Sequence, residues 1–174
     1  LHANPVAVQI PLGKEETFRG VIDLLDNKAI LYLDETLGAE YKVEEVPEDY
    51  KDAVREYREK ILEAACEADE KVFEKYVRGE AVSNEELRAA IRKATILIKV
   101  TPVLCGSSFK NKGVQPLLDA VVNFLPSPVD IPPIEGLTTD RSAAETRLAD
   151  DKQPFSALVF KIMTDPFVGQ LAFF

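Results

Sequence analysis

The residues with the clearest chemical meaning are acidic and lie along one predicted helix. Starting from Glu63 and advancing 100° per residue, seven carboxylates fall within about 40° of one line along the helix: Asp52, Glu56, Glu59, Glu63, Glu67, Glu70 and Glu74. Like charges spaced i,i+4 destabilise a helix by roughly 0.2–0.5 kcal/mol per pair. The pattern leaves two interpretations open: a solvated face, or a docking surface for a basic partner, centred on Glu63, Glu67 and Glu70.

A second candidate site is the loop Gly106-Ser107-Ser108, which follows an apolar strand and precedes an amphipathic helix. α/β folds place ligand contacts at the carboxyl ends of their strands, and small residues there let backbone N–H groups approach a ligand. A tight structural turn would have the same composition. Taken alone, the pattern favours the turn.

Several classes of enzyme lack the residues that they need. His2 is the single histidine, so a Ser-His-Asp or Cys-His site and a histidine-based zinc site have no partners to use. Cys66 and Cys105 are far apart and form no CxxC pair. We interpret them as buried inert thiols, typical of a reducing cytosol. We predict no catalytic residue and no metal site.

Two apparent nucleotide motifs also fail. Gly13-Lys14 has Val8 where a phosphate-binding loop needs its first glycine, and Glu15 where it needs Ser or Thr. Asn111-Lys112 lacks the aspartate of a guanine-reading Asn-Lys-x-Asp motif. That aspartate is needed to accept two N–H groups of the base, so neither segment is interpreted as a nucleotide site.

The composition limits the kinds of partner that the protein can bind. The 174 residues carry 21 basic and 30 acidic side chains, for a net charge of -9. An acidic chain is a poor binder of phosphate backbones, so we expect no direct nucleic-acid binding. No apolar run approaches the ~20 residues of a membrane span, so we expect no membrane contact and a cytoplasmic protein.

Short alternating segments separated by turn residues predict an antiparallel β-meander over 5–10, 18–25, 29–33 and 41–46. Pro11 is expected to end the first of these strands. Pro47 and the acidic residues after it predict the start of one long helix, which Gly79 ends. Ser83 and Glu86 form a capping box for the next helix.

The second part of the sequence predicts a strand followed by a helix, which is one half of a βαβ unit, and then further strands. An apolar strand lies within 98–105, and a helix runs from Gly113 to Phe124. Residues 135–153 are polar and predict a surface connection, while 155–162 and 168–174 predict two strands. The fold class is therefore α+β, an antiparallel sheet with packed helices.

Several segments resemble bacterial elongation factor G, a translational GTPase. Residues 105–115, CGSSFKNKGVQ, resemble its fifth guanine-nucleotide motif, and residues 124–130, FLPSPVD, resemble the end of its G domain. Residues 4–23, with FRGVID at the end, resemble the start of its inserted G′ subdomain, and residues 154–169 resemble the first strands of its second domain. The family loop usually reads Gly-Ser-Ala, and this chain departs from it at Ser108.

The resemblance implies four segments. Residues 1–96 would be a G′-like insert, 97–130 the C-terminal strand, loop and helix of a P-loop GTPase domain, 131–153 a connector, and 154–174 the truncated start of β-barrel domain II. For the parent protein it implies a ribosomal translocase that binds and hydrolyses GTP with Mg²⁺. Gly106, Ser107 and Ser108 would contact the guanine base there.

The resemblance also implies partners. The parent would bind the ribosome, and its insert would meet the C-terminal domain of the ribosomal stalk protein L7/L12. The helix pattern independently offers Glu63, Glu67 and Glu70 as the contact. These residues would then be a docking surface rather than a solvated face.

The phosphate loop, both switch regions and the Asn-Lys-x-Asp motif of that family are not found in this sequence. Phosphoryl transfer needs a phosphate cradle, a metal ligand and a positioned water, so we expect the chain alone to be inactive and to bind no GTP, GDP or Mg²⁺. An apolar end, Leu171–Phe174, is rare for a natural C-terminus, so we expect a fragment. The alternatives are a stand-alone protein-interaction module with an acidic docking helix, and an autonomous enzyme.

Overall fold

Alternating apolar residues and tight turns give the chain short strands, and its amphipathic stretches form helices between them. The computed structural model describes residues 3–33, 38 and 40–174. Its strands are β1 (Pro5–Ala7), β2 (Gln9–Leu12), β3 (Gly20–Asp23), β4 (Lys28–Tyr32), β5 (Tyr41–Glu45), β6 (Thr101–Val103), β7 (Ile134–Leu137), β8 (Ala144–Arg147), β9 (Lys161–Asp165) and β10 (Gly169–Phe173). Its helices are α1 (Lys51–Ala68), α2 (Glu70–Val77), α3 (Asn84–Ile96) and α4 (Val114–Phe124).

The strands β2, β3, β4 and β5 pair in that order into one antiparallel sheet, which confirms the predicted meander. Side chains alternate between the two faces of a strand. One face of this sheet contributes an apolar layer to the core: Ile10, Leu12, Ile22 and Ala29.

Two helices complete that core. α1 lies against α3, and both bury an apolar stripe: Val54, Ile61 and Ala65 from α1, and Leu87, Ile91 and Ala94 from α3. The predicted capping box is present, since Ser83 Oγ accepts the N–H of Glu86 at 3.2 Å and Glu86 Oε2 accepts the N–H of Ser83 at 2.9 Å. Arg58 of α1 donates to the Leu25 carbonyl at 2.9 Å, which ties the helix to the sheet.

The prediction of one helix between Pro47 and Gly79 is wrong. A 3₁₀ turn over Glu48–Tyr50 precedes α1, and Asp69 separates α1 from α2 with extended backbone angles of φ -135° and ψ 114°. The Asp69 carboxylate accepts the Lys71 N–H at 3.0 Å and an ammonium hydrogen from Lys93 at 3.0 Å. Aspartate is a favoured N-cap, and the contact with α3 stabilises the break.

The stretch 5–10, predicted as one strand, belongs to two sheets. β1 pairs in parallel with β6, whereas β2 pairs with β3. Val8 lies at the crossing, because its N–H donates to the Val103 carbonyl at 3.0 Å and its carbonyl accepts the Leu24 N–H at 3.0 Å. Pro11, expected to end the strand, lies inside β2. It is tolerated because β2 is an edge strand.

The rest of the chain forms two antiparallel hairpins, β7 with β8 and β9 with β10. Residues 135–153, predicted as a polar surface connection, are mostly exposed and contain most of the first hairpin. At the first hairpin's turn, Asp140 Oδ1 accepts the Thr138 hydroxyl at 2.5 Å and the Ser142 N–H at 3.1 Å. The strand predicted over 155–162 begins only at Lys161.

The chain therefore has an α+β fold with antiparallel sheets, as predicted, and one added parallel pair. It divides into two compact units, Leu1–Leu125 and Pro126–Phe174. The four finer segment boundaries remain predictions. Within the described residues, no helix combines the length and the apolar character that crossing a membrane requires.

Candidate functional site

The predicted ligand loop is a closed turn between β6 and α4. Ser107 and Lys112 pair across it: the Ser107 N–H donates to the Lys112 carbonyl at 2.8 Å, and the Lys112 N–H donates to the Ser107 carbonyl at 3.0 Å. A 3₁₀ turn over Ser108–Lys110 forms the tip, and Asn111 follows in the left-handed conformation with φ 52°. The structure thus brings Gly106, Ser107 and Ser108 together in one tight turn, while their contact with a ligand remains a prediction.

Two glycines let the arms of this turn approach each other. A Cβ on Gly106 would lie 2.7 Å from the Lys112 carbonyl oxygen, and a Cβ on Gly113 would lie 2.9 Å from the Cys105 carbonyl oxygen. Gly113 also has φ 87°, which L-residues rarely adopt. Side chains at either position would force the loop open.

A buried lysine anchors the turn to the sheet. Lys112 is only 3% exposed, and its ammonium donates to the Phe18 carbonyl at 3.2 Å. Phe18 lies between β2 and β3, far from the loop in sequence. Sequence reasoning rejects Asn111-Lys112 as a base-reading motif and misses this anchoring role, which no local pattern marks.

The tip of the turn offers two backbone donors. In the described part of the chain, no acceptor bonds the N–H groups of Ser108 and Phe109. Both residues are exposed. The first N–H groups of a helical turn have no acceptor within the turn. A carbonyl oxygen of a ligand would satisfy these donors.

Two open cavities adjoin the loop, and Gly106 and Ser107 line both. The larger, of about 340 Å³, also has Lys14 and Lys110 in its wall. The smaller, of about 220 Å³, is lined by Ser108 and the start of α4. The surface beside the loop is therefore concave, and on one side two lysines stand beside the carboxylate of Glu15.

The two cysteines are half-buried rather than buried as predicted. Partial burial raises the pKa of the Cys105 thiol to about 11 and also raises the pKa of Cys66. Because a thiol must ionise to attack an electrophile, these directions lower the reactivity of both side chains.

The predicted acidic docking residues do not share one helix. Glu63 and Glu67 lie on α1, and Glu70 is the first residue of α2, beyond the break at Asp69. All three side chains are exposed. The angular alignment calculated along a single helix is therefore wrong beyond residue 68, although Glu63 and Glu67 keep their i,i+4 spacing.

The ends of the acidic series are neutralised, but its middle is not. Arg55 pairs with Asp52 at 3.5 Å, Lys60 with Glu56 at 2.6 Å and Arg78 with Glu74 at 3.2 Å. Within the part of the chain that the structure describes, four carboxylates of the series have no ion pair: Glu59, Glu63, Glu67 and Glu70.

An open cavity of about 500 Å³ is lined by residues of α1 and β1 and has Glu63 and Glu67 on its wall. Tyr57 and Lys60 line the same cavity, and the Lys60 ammonium lies 5.0 Å from the centre of the Tyr57 ring. The two unpaired carboxylates thus border a groove rather than a flat helix surface.

The chain is similar to proteins of known structure. No protein-family model matches the chain. The chain is similar to the crystal structure of a protein from Thermus thermophilus, with a TM-score of 0.70 and 30% identity. The match covers 97% of this chain but 22% of that protein, so the chain spans about a fifth of its length.

Proposed function

We propose that the chain is part of an elongation factor G, and that its own role is to hold a guanine-contacting loop and a docking surface for the ribosomal stalk. The proposal divides the chain into four segments. The G′-like insert is residues 1–96, and the C-terminal end of the GTPase domain is residues 97–130. A connector, residues 131–153, leads to the start of domain II, residues 154–174. The observation that carries the proposal is the pair of unbonded N–H groups at Ser108 and Phe109, because they lie within the segment most similar to the family's fifth guanine-nucleotide motif.

The match to a much longer protein supports the proposal that this chain acts as part of a longer protein. The exposed side of α4 supports it too, since four large apolar side chains there are between 45% and 77% exposed: Leu117, Leu118, Val121 and Val122. Monomeric proteins rarely leave such a contiguous apolar patch uncovered. Further domains of the parent protein would cover this face of α4.

The proposed base contact is a hydrogen bond from the loop backbone to the guanine carbonyl. A hydroxymethyl group at Ser108 in place of a methyl group leaves that backbone donor intact. One neutral hydrogen bond contributes about 0.5–1.5 kcal/mol, whereas a micromolar site needs about 8 kcal/mol. The phosphate cradle and the Mg²⁺ ligands would therefore come from parts of the parent outside this chain.

The proposed stalk contact uses the unpaired middle of the acidic series. Glu63 and Glu67 border a groove, and Glu70 lies just beyond the break at Asp69. A partner that presents several lysines could pair with these carboxylates in addition to Lys60, which interacts electrostatically with Glu63. Charge complementarity of this kind acts mainly on the rate of encounter and is screened by salt.

Calorimetry on two proteins tests the proposal. The protein encoded by the complete open reading frame should bind GDP, and the 174-residue chain alone should show no measurable heat of binding. Micromolar GDP affinity in the isolated chain would contradict the proposed division of the site. A complete reading frame that encodes no phosphate-binding loop would also contradict the proposal.

A second candidate function, an interaction module unrelated to translation, rests on the same unpaired carboxylates of α1. It predicts binding to basic proteins regardless of nucleotide. Binding of the longer protein to the stalk C-terminal domain, compared with lysozyme as a basic control, separates the two: the elongation-factor proposal requires a clear preference for the stalk domain.

A further inference from the structure

The short helix α2 buries little of its apolar surface. Among its eight residues, all of which the structure describes, only Val72 is buried. Three other large apolar side chains are about half exposed or more: Phe73 at 51%, Tyr76 at 50% and Val77 at 67%. Residues three and four positions apart are neighbours on a helix surface. These three side chains therefore form one patch, which we call the apolar face of α2.

The composition of the apolar face is typical of a protein interface. Exposed apolar side chains are common singly, whereas a contiguous group indicates a surface that a partner covers. Aromatic residues are enriched at such surfaces. The Tyr76 hydroxyl has no hydrogen-bond partner among the described residues, so it is available to a partner.

The charged residues of this segment are separated around the helix. At 100° per residue, Glu70 lies about 60° from Phe73, beside the apolar face. The basic residues lie about 140–160° from Phe73 by the same geometry, on the opposite side of the helix: Lys71, Lys75 and Arg78. No basic residue of α2 therefore borders the apolar face.

Ion pairs within the chain leave Glu70 free. Lys75 pairs with Glu86 at 2.6 Å, and Arg78 pairs with Glu74 at 3.2 Å. Glu70 has no ion pair in the part of the chain that the structure describes. The carboxylate beside the apolar face thus lacks a counter-charge.

This arrangement restricts the chemistry of the partner. Protein interfaces combine an apolar centre with a polar rim. A purely ionic contact would leave Phe73 and Val77 in water. A purely apolar partner would cover the Glu70 carboxylate without a counter-charge, which costs free energy. The partner that fits presents apolar side chains with a lysine or arginine beside them.

We propose that the apolar face of α2 is the apolar part of the docking surface, and that its occupant is a basic protein domain with exposed apolar side chains among its lysines. This inference rests on the proposed function, in which that domain is the C-terminal domain of the ribosomal stalk protein. Glu63 and Glu67 then accelerate the encounter. Burial of Phe73 and Val77 slows dissociation, the rate on which most interface contacts act.

The kinetics of binding between the longer protein and the isolated stalk C-terminal domain, measured at several salt concentrations, test the proposal. Phe73→Gln should weaken binding about tenfold and Val77→Gln about threefold, mainly through faster dissociation. Both variants should keep the salt dependence of the unaltered protein, because neither removes a charge. Glu70→Gln should weaken binding at low salt only. Val43→Gln is the matched control, at a valine of similar exposure on β5, and should not change the affinity.

The melting temperature of the longer protein provides a second measurement. Phe73→Gln and Val77→Gln should both melt with the unaltered protein, because the two side chains are exposed. A lowered melting temperature in both variants would show that another part of the longer protein covers the apolar face, and would overturn the proposal.

The binding results distinguish this inference from the proposed function. Affinities of Phe73→Gln and Val77→Gln equal to that of Val43→Gln would overturn the inference alone, since the stalk domain would then bind through the carboxylates. No binding of the stalk domain by the unaltered longer protein would contradict the docking part of the proposed function and this inference with it.

Discussion

The ammonium of Lys112 lies 3.2 Å from the carbonyl oxygen of Phe18, although 94 positions separate the two residues in sequence. This bond fastens the loop after β6 to the connection between β2 and β3. The loop proposed to contact guanine is therefore held in place by Lys112, a residue of the same turn. The shape of the loop thus depends on the sheet.

Lys112→Met should loosen the loop. It keeps the apolar stem but removes a charged donor, and hydrogen bonds to charged groups contribute about 1.5–3 kcal/mol. Urea denaturation should show a loss of that order in the free energy of unfolding. Lys110→Met, at an exposed position of the same turn, should cost less than about 0.5 kcal/mol. Equal effects of the two substitutions would show that the Phe18 contact is unimportant.

Gly113→Ala should be more damaging than substitution of two other glycines, Gly79 and Gly136. At Gly79, φ is 70° with open space around it, so Gly79→Ala tests backbone strain alone, which costs roughly 1–2 kcal/mol. At Gly113 the same strain combines with a contact of 2.9 Å to the Cys105 carbonyl. In thermal unfolding, the melting temperature should be lowest for Gly113→Ala, intermediate for Gly79→Ala and highest for Gly136→Ala. Gly136 has neither a positive φ nor a close contact at the position of a Cβ. The reverse order for Gly113 and Gly79 would contradict the described packing.

Asp69→Ala should destabilise the chain by about 0.5–2 kcal/mol at neutral pH through loss of the α2 cap. The hydrogen bond from Lys93 lowers the pKa of Asp69 below its usual 3.8. A carboxyl group with a depressed pKa contributes stability above its unfolded pKa and loses it as pH falls through the folded value. The difference between the two proteins should therefore shrink below about pH 4. Urea curves from neutral to strongly acidic pH measure it, with Asp151→Ala as the exposed control. A difference that stays constant with pH would show that the Asp69 charge is irrelevant.

The contrast between Ser83 and Asp69 shows what the sequence can predict. Ser83 and Glu86 cap α3 through bonds three residues apart, so a local pattern is enough. The break at Asp69 combines a local cap, the bond from the Lys71 N–H, with a contact from Lys93 in another helix, while helical periodicity continues through it. Tertiary contacts override local propensity there.

The candidate sites divide in the same way. The turn at Gly106–Ser108 follows from small residues between an apolar strand and a helix, and these residues predict it. The burial of Gln9 has no such signal, because alternation of Val6, Val8 and Ile10 marks Gln9 only as an outward-facing strand residue. Its burial comes with α4, more than 100 positions later.

Ser108→Val should weaken GDP binding by the longer protein several-fold and leave the rate of GTP hydrolysis at saturating nucleotide almost unchanged. A branched side chain crowds the backbone donor that the guanine carbonyl would meet, whereas the γ-phosphate lies far from the base. Equilibrium binding of a fluorescent GDP analogue and single-turnover hydrolysis measure the two quantities. Ser156→Val, at an exposed site in the second unit, is the control. Normal affinity with lost hydrolysis would contradict the assignment.

Stalk-dependent GTP turnover on ribosomes is the most direct test of the central proposal. The longer protein carrying Glu63→Lys, Glu67→Lys and Glu70→Lys should turn over GTP more slowly than the unaltered protein at low salt, with a change in stability of less than about 0.5 kcal/mol for each substitution. Raising the salt should slow the unaltered protein towards the variant, because screening removes the attraction. A charge-matched control, Glu44→Lys, Glu80→Lys and Asp151→Lys, places the same reversals at other exposed sites and should behave like the unaltered protein. If both triple variants turn over GTP at the unaltered rate at low salt, the acidic residues of α1 and α2 are only a solvated face and the docking proposal is wrong.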